Sequence, residues 1–138
     1  MFKLSKSFTF PWPVKVLEPD QNNPGKLLEH EFAAQFLLID REEAAANDRK
    51  RLEIVMRSRE ETDPAKLRTI MDELAEHDRA SIKRVLCGWD ERLCDESGKP
   101  IPFDEVNLRE VMKHARVEAA LARAYSEAIS EDKARLGN

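Results

Sequence analysis

Three histidines (His30, His77, His114) and two cysteines (Cys87, Cys94) are the side chains in this sequence best suited to metal binding, nucleophilic attack or proton transfer. Their spacing supports none of these. A general base must lie within hydrogen-bond reach of the proton it takes, and the histidines fall in three different predicted elements, with no cysteine or carboxylate at ligand spacing. Each reads as a partly exposed surface residue. The cysteines are seven positions apart and lack the second pair that a zinc site needs, so neither a metal nor a disulfide framework is predicted. Ser97-Gly98-Lys99 has the ending of a phosphate loop, but the preceding glycine, Gly88, is ten residues upstream and Pro100 removes the helix that should follow. Asp90, Glu91, Asp95 and Glu96 lack the alternating ligand order and closing Glu of a calcium loop, and read as a solvated acidic turn. No Ser/His/Asp or Cys/His set can be assembled. The expectation is a protein that is not an enzyme, with no catalytic residue, metal or cofactor.

The totals agree with a helical, binding-type protein. Charged residues make up 36% of the 138 positions, against about 25% in ordinary domains. Hydrophobic residues still reach 41% and glycine is scarce. Lys plus Arg (23) nearly balances Asp plus Glu (27), so the total implies no strongly basic face for nucleic acid. The first residues, MFKLSKSFTFPWP, contain no continuous apolar run, and no window approaches eighteen apolar residues. A signal peptide and a membrane span are therefore not expected, and a cytosolic protein with reduced thiols is.

The elements are organised around residues 84–111, RVLCGWDERLCDESGKPIPFDEVNLREV. Val85, Leu86 and Trp89 extend a helical apolar stripe, and Gly88 is the first residue that can end that helix in a left-handed cap without steric cost. DESG (95–98) is rich in turn formers, and Lys99-Pro100-Ile101-Pro102 cannot be helical because each proline drives its predecessor into an extended conformation. Asp104 is an N-cap candidate, and Phe103 and Leu108 flank it at the spacing of a hydrophobic staple. The predicted structural corner thus consists of Gly88, Trp89, Gly98, Pro102, Phe103 and Leu108, with Trp89 and Phe103 as aromatic anchors between two helices.

Before this corner, Phe2, Leu4, Phe8, Phe10, Trp12, Val14 and Val16 all occupy even positions, the period of a strand with one buried face. Pro11 and Pro13 fall on the other face and cannot donate to a central ladder, which predicts an edge strand, a bulged strand or one of a simple pair. The turn cluster EPDQNNPG (18–25) then leads into a returning strand, giving a β-hairpin over about 2–17 and 26–39. Asp40-Arg41-Glu42-Glu43 is a capping box that opens a helix over about 41–60, with a thin stripe of Leu52, Val55 and Met56. Asp63 caps and Pro64 starts a central helix to about residue 87, whose stripe Asp78 interrupts. Two more helices, about 104–113 and 115–131, follow. Whether they join through Lys113-His114 is left open by propensity, since neither Gly nor Pro intervenes. Ala119, Ala120, Ala122 and Ala124 leave a smooth surface suited to close helix contact. The tail, 131–138, is expected to fray. The predicted fold is α+β, mainly α: one domain over 1–138, with 1–39 a hairpin appendage and 40–138 a helical body of about four helices.

The ordered set of FTFPWPVKV, LLEHEFAAQF, DRASIKRVLCGWDER, DESGKPIPFDEVNLREV and ALARAYSEA resembles the tail assembly chaperones of long-tailed bacteriophages and prophages. Its most specific part is Gly88-Trp89-Asp90, then 95–98, Pro100, Pro102-Phe103 and Asn107-Leu108. Cys94 and the stretch 113–116 depart from the pattern. The resemblance implies a non-enzymatic protein of the host bacterial cytoplasm. It would bind the long tape-measure protein, keep its apolar segments soluble, give way as the tail-tube protein polymerises, and be absent from the finished virion.

Two surfaces are expected to contact the partner or a second copy. They are the helix face of Leu52, Val55 and Met56, and the outer side of the first strand at Phe8, Phe10 and Trp12, chosen because both bear apolar residues without obvious cover in the chain. The alternative reading is a structural virion component, a tail-completion or head-tail joining protein that forms a ring through the hairpin. A DNA-associated role would draw on Arg49, Lys50, Arg51, Arg57 and Arg59. The acidic residues on the same helix, among them Glu42, Asp48 and Glu53, argue against it.

Overall fold

The structure, a computed structural model, describes residues 1–130, and the expected fraying of 131–138 lies outside it. The fold is α+β: an N-terminal hairpin of β1 (Phe8–Pro19) and β2 (Leu27–Leu38) is followed by α1 (Arg41–Glu60), α2 (Pro64–Val85), a short β3 (Leu86–Trp89), α3 (Glu105–Val111) and α4 (Ala115–Ile129). α1, α2 and α3 start where the predicted caps placed them. Asp40 accepts the Glu43 N–H at 2.8 Å, and Asp104 accepts the Asn107 N–H at 2.8 Å. The Asp63 carboxylate takes the N–H of Ala65 at 3.3 Å, just after Pro64 starts α2. α3 and α4 are separate helices, since α3 closes at Met112 and α4 opens after an extended His114.

The first strand begins at Phe8 rather than Phe2, and Phe2 and Leu4 lie exposed before it. β1 and β2 pair without a break from Phe8↔Leu38 to Pro19↔Leu27, so even positions of both strands share one face. α4 packs on that face. Val14, Phe32, Ala34 and Phe36 are buried there, and α4 contributes buried Ala120, Leu121 and Ala124. Tyr125 meets Phe36 edge-on with ring centroids 5.3 Å apart, and its hydroxyl donates to the Leu37 carbonyl at 3.0 Å. Burying a side chain such as Phe36 contributes about 2 to 3 kcal/mol. Ala120 and Ala124 therefore serve a sheet contact rather than a helix contact, with α4 lying chiefly against β1.

The sheet has a third strand that the helical pattern concealed. α2 ends at Val85, and Leu86–Trp89 pairs antiparallel with β2 through Ala34↔Trp89, Gln35↔Gly88 and Phe36↔Leu86, with Cys87 the extra residue of a bulge. Gly88 is thus no left-handed helix cap. The only described glycines with positive φ are Gly25 and Gly98, and a Cβ on Gly88 would meet nothing nearer than the Gln35 Cβ at 3.7 Å. The open side of β2 offered a ladder of backbone partners, and that long-range gain overrode the local stripe.

Two compact units result. One comprises residues 1–38 together with 86–130, so the sheet retains β3, α3 and α4; the other is the helical hairpin Ile39–Val85. In the hairpin, α1 and α2 are joined by a ladder of polar pairs. Glu43 meets Arg84 at 2.8 Å, Asn47 accepts from Ser81 at 3.0 Å, Asp78 takes Arg51 through two bonds of 2.9 and 3.3 Å, and Glu73 takes Arg57 at 2.7 Å. Asp78, which breaks the apolar stripe of α2, does so to meet Arg51. Glu43 completes only half of the expected capping box: its backbone N–H bonds Asp40, while its carboxylate turns to Arg84.

Candidate partner-binding surfaces

The helix face proposed from sequence is partly rearranged. Ile54, absent from the predicted stripe, is the buried residue of α1. Leu52 and Met56 are 59% and 44% exposed, and Val55 is half-buried. At about 100° per residue, Leu52 and Met56 lie on the side of α1 opposite Arg51, Ile54 and Arg57, which face α2. They form a small apolar spot held outward by a hairpin whose inner face is fixed by ion pairs. The Arg57 hydrogen bond holds the Glu73 carboxyl below its ordinary range.

The strand candidates point the other way from the prediction. Phe8, Phe10 and Trp12 lie on the α4-facing side of β1, because even positions are the packed ones. Burial fades along the strand from Val14 to Phe8, which is 52% exposed. The three residues, with Leu38, Ala128 and Ile129, line an open apolar notch of about 300 Å³ at the end of α4. The outer face of the hairpin instead carries Thr9, Pro11, Pro13, Lys15, Glu29 and Glu31, all exposed.

The outer edge of β1 offers few free groups for further pairing. Arg116 and Arg123 of α4 donate to the carbonyls of Leu17 and Lys15, each at 2.7 Å. Those carbonyls must therefore point away from β2. In an unbroken antiparallel ladder the N–H and C=O of every second residue point the same way, so Thr9, Pro11, Pro13 and Pro19 also face outward. Three of these outward positions have no N–H to offer. This is how an edge strand is kept from recruiting another chain.

Of the predicted corner residues, Trp89 and Phe103 meet, at a turn from a strand into a helix rather than between two helices. Trp89 Nε1 donates to the Ile101 carbonyl at 2.6 Å, and its ring meets Phe103 edge-on at 4.7 Å. Between them the chain reverses through a tight loop: Cys94 bridges Pro100, Ile101 N–H bonds the Leu93 carbonyl at 3.0 Å, and Gly98 takes φ +84°. Asp95 fixes the turn by accepting from Ser97 Oγ (2.6 Å), Ser97 N–H (2.9 Å) and Lys99 N–H (3.0 Å), and these bonds, the Ser97 side chain foremost, hold its carboxyl below the usual range. Phe103, which precedes the Asp104 cap, meets the Trp89 ring. Asn107 closes the start of α3 by donating to Pro102 O at 3.0 Å and Asp104 Oδ2 at 3.1 Å.

Beside the corner lies an open cleft of about 530 Å³, with Leu93, Ile101, Pro102, Val111 and Val117 among its walls and Cys94 and His114 among its lining. Sequence reasoning missed it, because it arises only when the reversing loop folds back over α3 and the start of α4. No group of three or more metal-ligating side chains occurs among the described residues. The histidines differ from a uniform surface reading: His30 pairs with Glu18 at 2.9 Å on the surface, His114 is exposed, and His77 is half-buried with Nε2 shut off from solvent and no hydrogen-bond partner. No described helix is long and apolar enough to cross a membrane.

No protein-family model matches the chain, and no match is found among curated proteins or solved structures.

Proposed function

We propose that this protein is a tail assembly chaperone of a long-tailed bacteriophage or prophage. In this reading it binds the tape-measure protein in the host cytoplasm, keeps its apolar segments soluble while the tail-tube protein polymerises, and leaves before the particle is complete. The residues that carry the resemblance support the reading by acting together: Trp89, the 95–98 turn, Pro102, Phe103 and Asn107 fold into one corner joined by hydrogen bonds and a ring contact. The observation that carries it furthest is the exposure of Leu52 and Met56 on the face of α1 turned away from α2. A rigid helix presenting adaptable apolar side chains is suited to a long helical partner. The shielded outer edge of β1 removes the simplest way for the hairpin to join copies into a ring, which favours the chaperone over a structural virion component.

Co-expression with the tape-measure protein of the same tail gene cluster, followed by affinity capture and sizing, tests the proposal. The expected result is a soluble complex from a partner that is insoluble alone. A partner that stays insoluble and uncaptured, together with detection of this chain in purified particles, would overturn it in favour of the virion component.

A further inference from the structure

The two long edges of the hairpin are treated in opposite ways. On β1 the outward positions are closed by Pro11, Pro13 and Pro19 and by the arginines on Lys15 and Leu17. On β2 the odd positions face away from β1, as the bond from Asp90 N–H to the Ala33 carbonyl at 2.9 Å shows. β3 occupies this side only from Ala34 to Phe36. The chain then turns off: Leu93 N–H returns to the Asp90 carbonyl at 3.2 Å, and Arg92 is drawn to Asp90 at 2.9 Å and Glu31 at 3.4 Å. Beyond that point Leu27, Glu29 and Glu31 present their backbone N–H and C=O outward, all five residues 27–31 are exposed, and none of the three carries a proline or a cap among the described residues.

We propose that this open edge of β2 receives an extended segment of a partner protein bearing basic side chains, added as a strand in line with β3. The occupant's chemistry follows from what flanks the ladder. Glu29 makes no ion pair among the described residues, and Glu31 is met only by Arg92 at 3.4 Å, so an incoming Lys or Arg opposite Glu29 finds an unclaimed carboxylate. A second copy does not fit. The two-fold register that engages all three positions sets Glu29 against Glu29, which is repulsive, and the β1 edge of another copy is closed by its prolines. This inference does not depend on which protein the partner is, so it stands or falls separately from the chaperone reading.

The test uses the full chain and a fluorescent peptide of alternating Lys and Val, read by anisotropy at low salt. Two control peptides are run beside it: the alternating Glu and Val sequence, and the Lys and Val sequence with every second amide N-methylated, which keeps charge but cannot form a ladder. Binding of the first peptide alone is expected, with slowed amide exchange at residues 27, 29 and 31. Glu29→Pro, which removes one outward N–H without touching the β1 ladder, should weaken binding about tenfold, while Thr9→Pro on the closed edge leaves it unchanged. If Glu29→Pro does not fold, Glu29→Lys must show the same loss. Equal binding of the N-methylated peptide, equal binding of the Glu peptide, or a homodimer that Glu29→Pro abolishes would each overturn the proposal.

Discussion

Arg123 on α4 donates its Nη2 to the main-chain carbonyl of Lys15 on β1 at 2.7 Å, across a separation of 108 residues. The bond joins the last described helix to the first strand and occupies a backbone group that would otherwise face outward from the sheet edge. Arg116 repeats it one outward position further on, at Leu17. Removing both side chains, Arg116→Ala with Arg123→Ala, should cost about 1 kcal/mol per bond. Urea unfolding measures that loss, and light scattering of the folded variant should show association rising with concentration as the edge opens. A variant that keeps its stability and stays dispersed would mean that water satisfies these carbonyls equally well.

Two glycines of the corner should respond in opposite ways. Gly98 sits at φ +84°, where an L side chain is strained, so Gly98→Ala should destabilise by about 1 to 2 kcal/mol. Gly88 lies in β3 with ordinary space around a new Cβ, so Gly88→Ala should be neutral within about 0.5 kcal/mol. Thermal unfolding of the two variants gives the comparison directly. Were Gly88 the sensitive one, the assignment of Leu86–Trp89 to a strand would be untenable.

The α1 surface separates packing from binding. Ile54→Ala empties a fully buried site and should cost about 3 kcal/mol. Leu52→Ser and Met56→Ser replace exposed side chains and should leave stability within about 0.5 kcal/mol. In the capture experiment the second pair should retain less tape-measure protein than the wild type despite normal folding. Undiminished capture would remove this face from the proposed interface.

Acid should weaken the helical hairpin through Glu73. Its folded-state pKa is depressed, chiefly by the Arg57 hydrogen bond, so its contribution is present above the ordinary carboxylate range and is lost as pH falls through the lower folded value. Arg57→Met removes the partner. The melting temperature of this variant should fall below that of the wild type near neutrality, and the two should converge as the medium is acidified through the carboxylate range. A gap that persists unchanged in acid would point to lost packing of the Arg57 stem instead.

Much of this fold is written in local signals. Asp40, Asp63 and Asp104 mark helix starts because a short carboxylate can reach the free N–H groups of a first turn, and all three do so. Pro11 and Pro13 announced an edge strand because a ring without an N–H cannot sit in a central ladder. What stayed hidden depends on distant partners. Leu86 and Val85 continue the spacing of α2, and only the free side of β2 at Phe36, far earlier in the chain, decides that the helix stops between them. Ile54 was passed over for Leu52, Val55 and Met56 because a thin stripe does not say which of its sides meets another helix. Asp78 looked like an interruption until Arg51 supplied its reason. The cleft beside Trp89 has no sequence signature at all, being space left between a folded-back loop and two helices.

The insertion of the α1–α2 hairpin between β2 and β3 bears on how the chain folds. β1 and β2 are neighbours in sequence and can zip from their turn, whereas β3 must wait for the whole helical excursion to be made before Leu86 can find Phe36. Closing so long a loop in an unstructured chain slows folding. Here the delay is shortened, because once α1 and α2 pair, the Glu43 and Arg84 bond at the foot of the hairpin already brings its two ends side by side. A helical hairpin whose two ends lie side by side turns a distant strand pairing into the closure of a short gap.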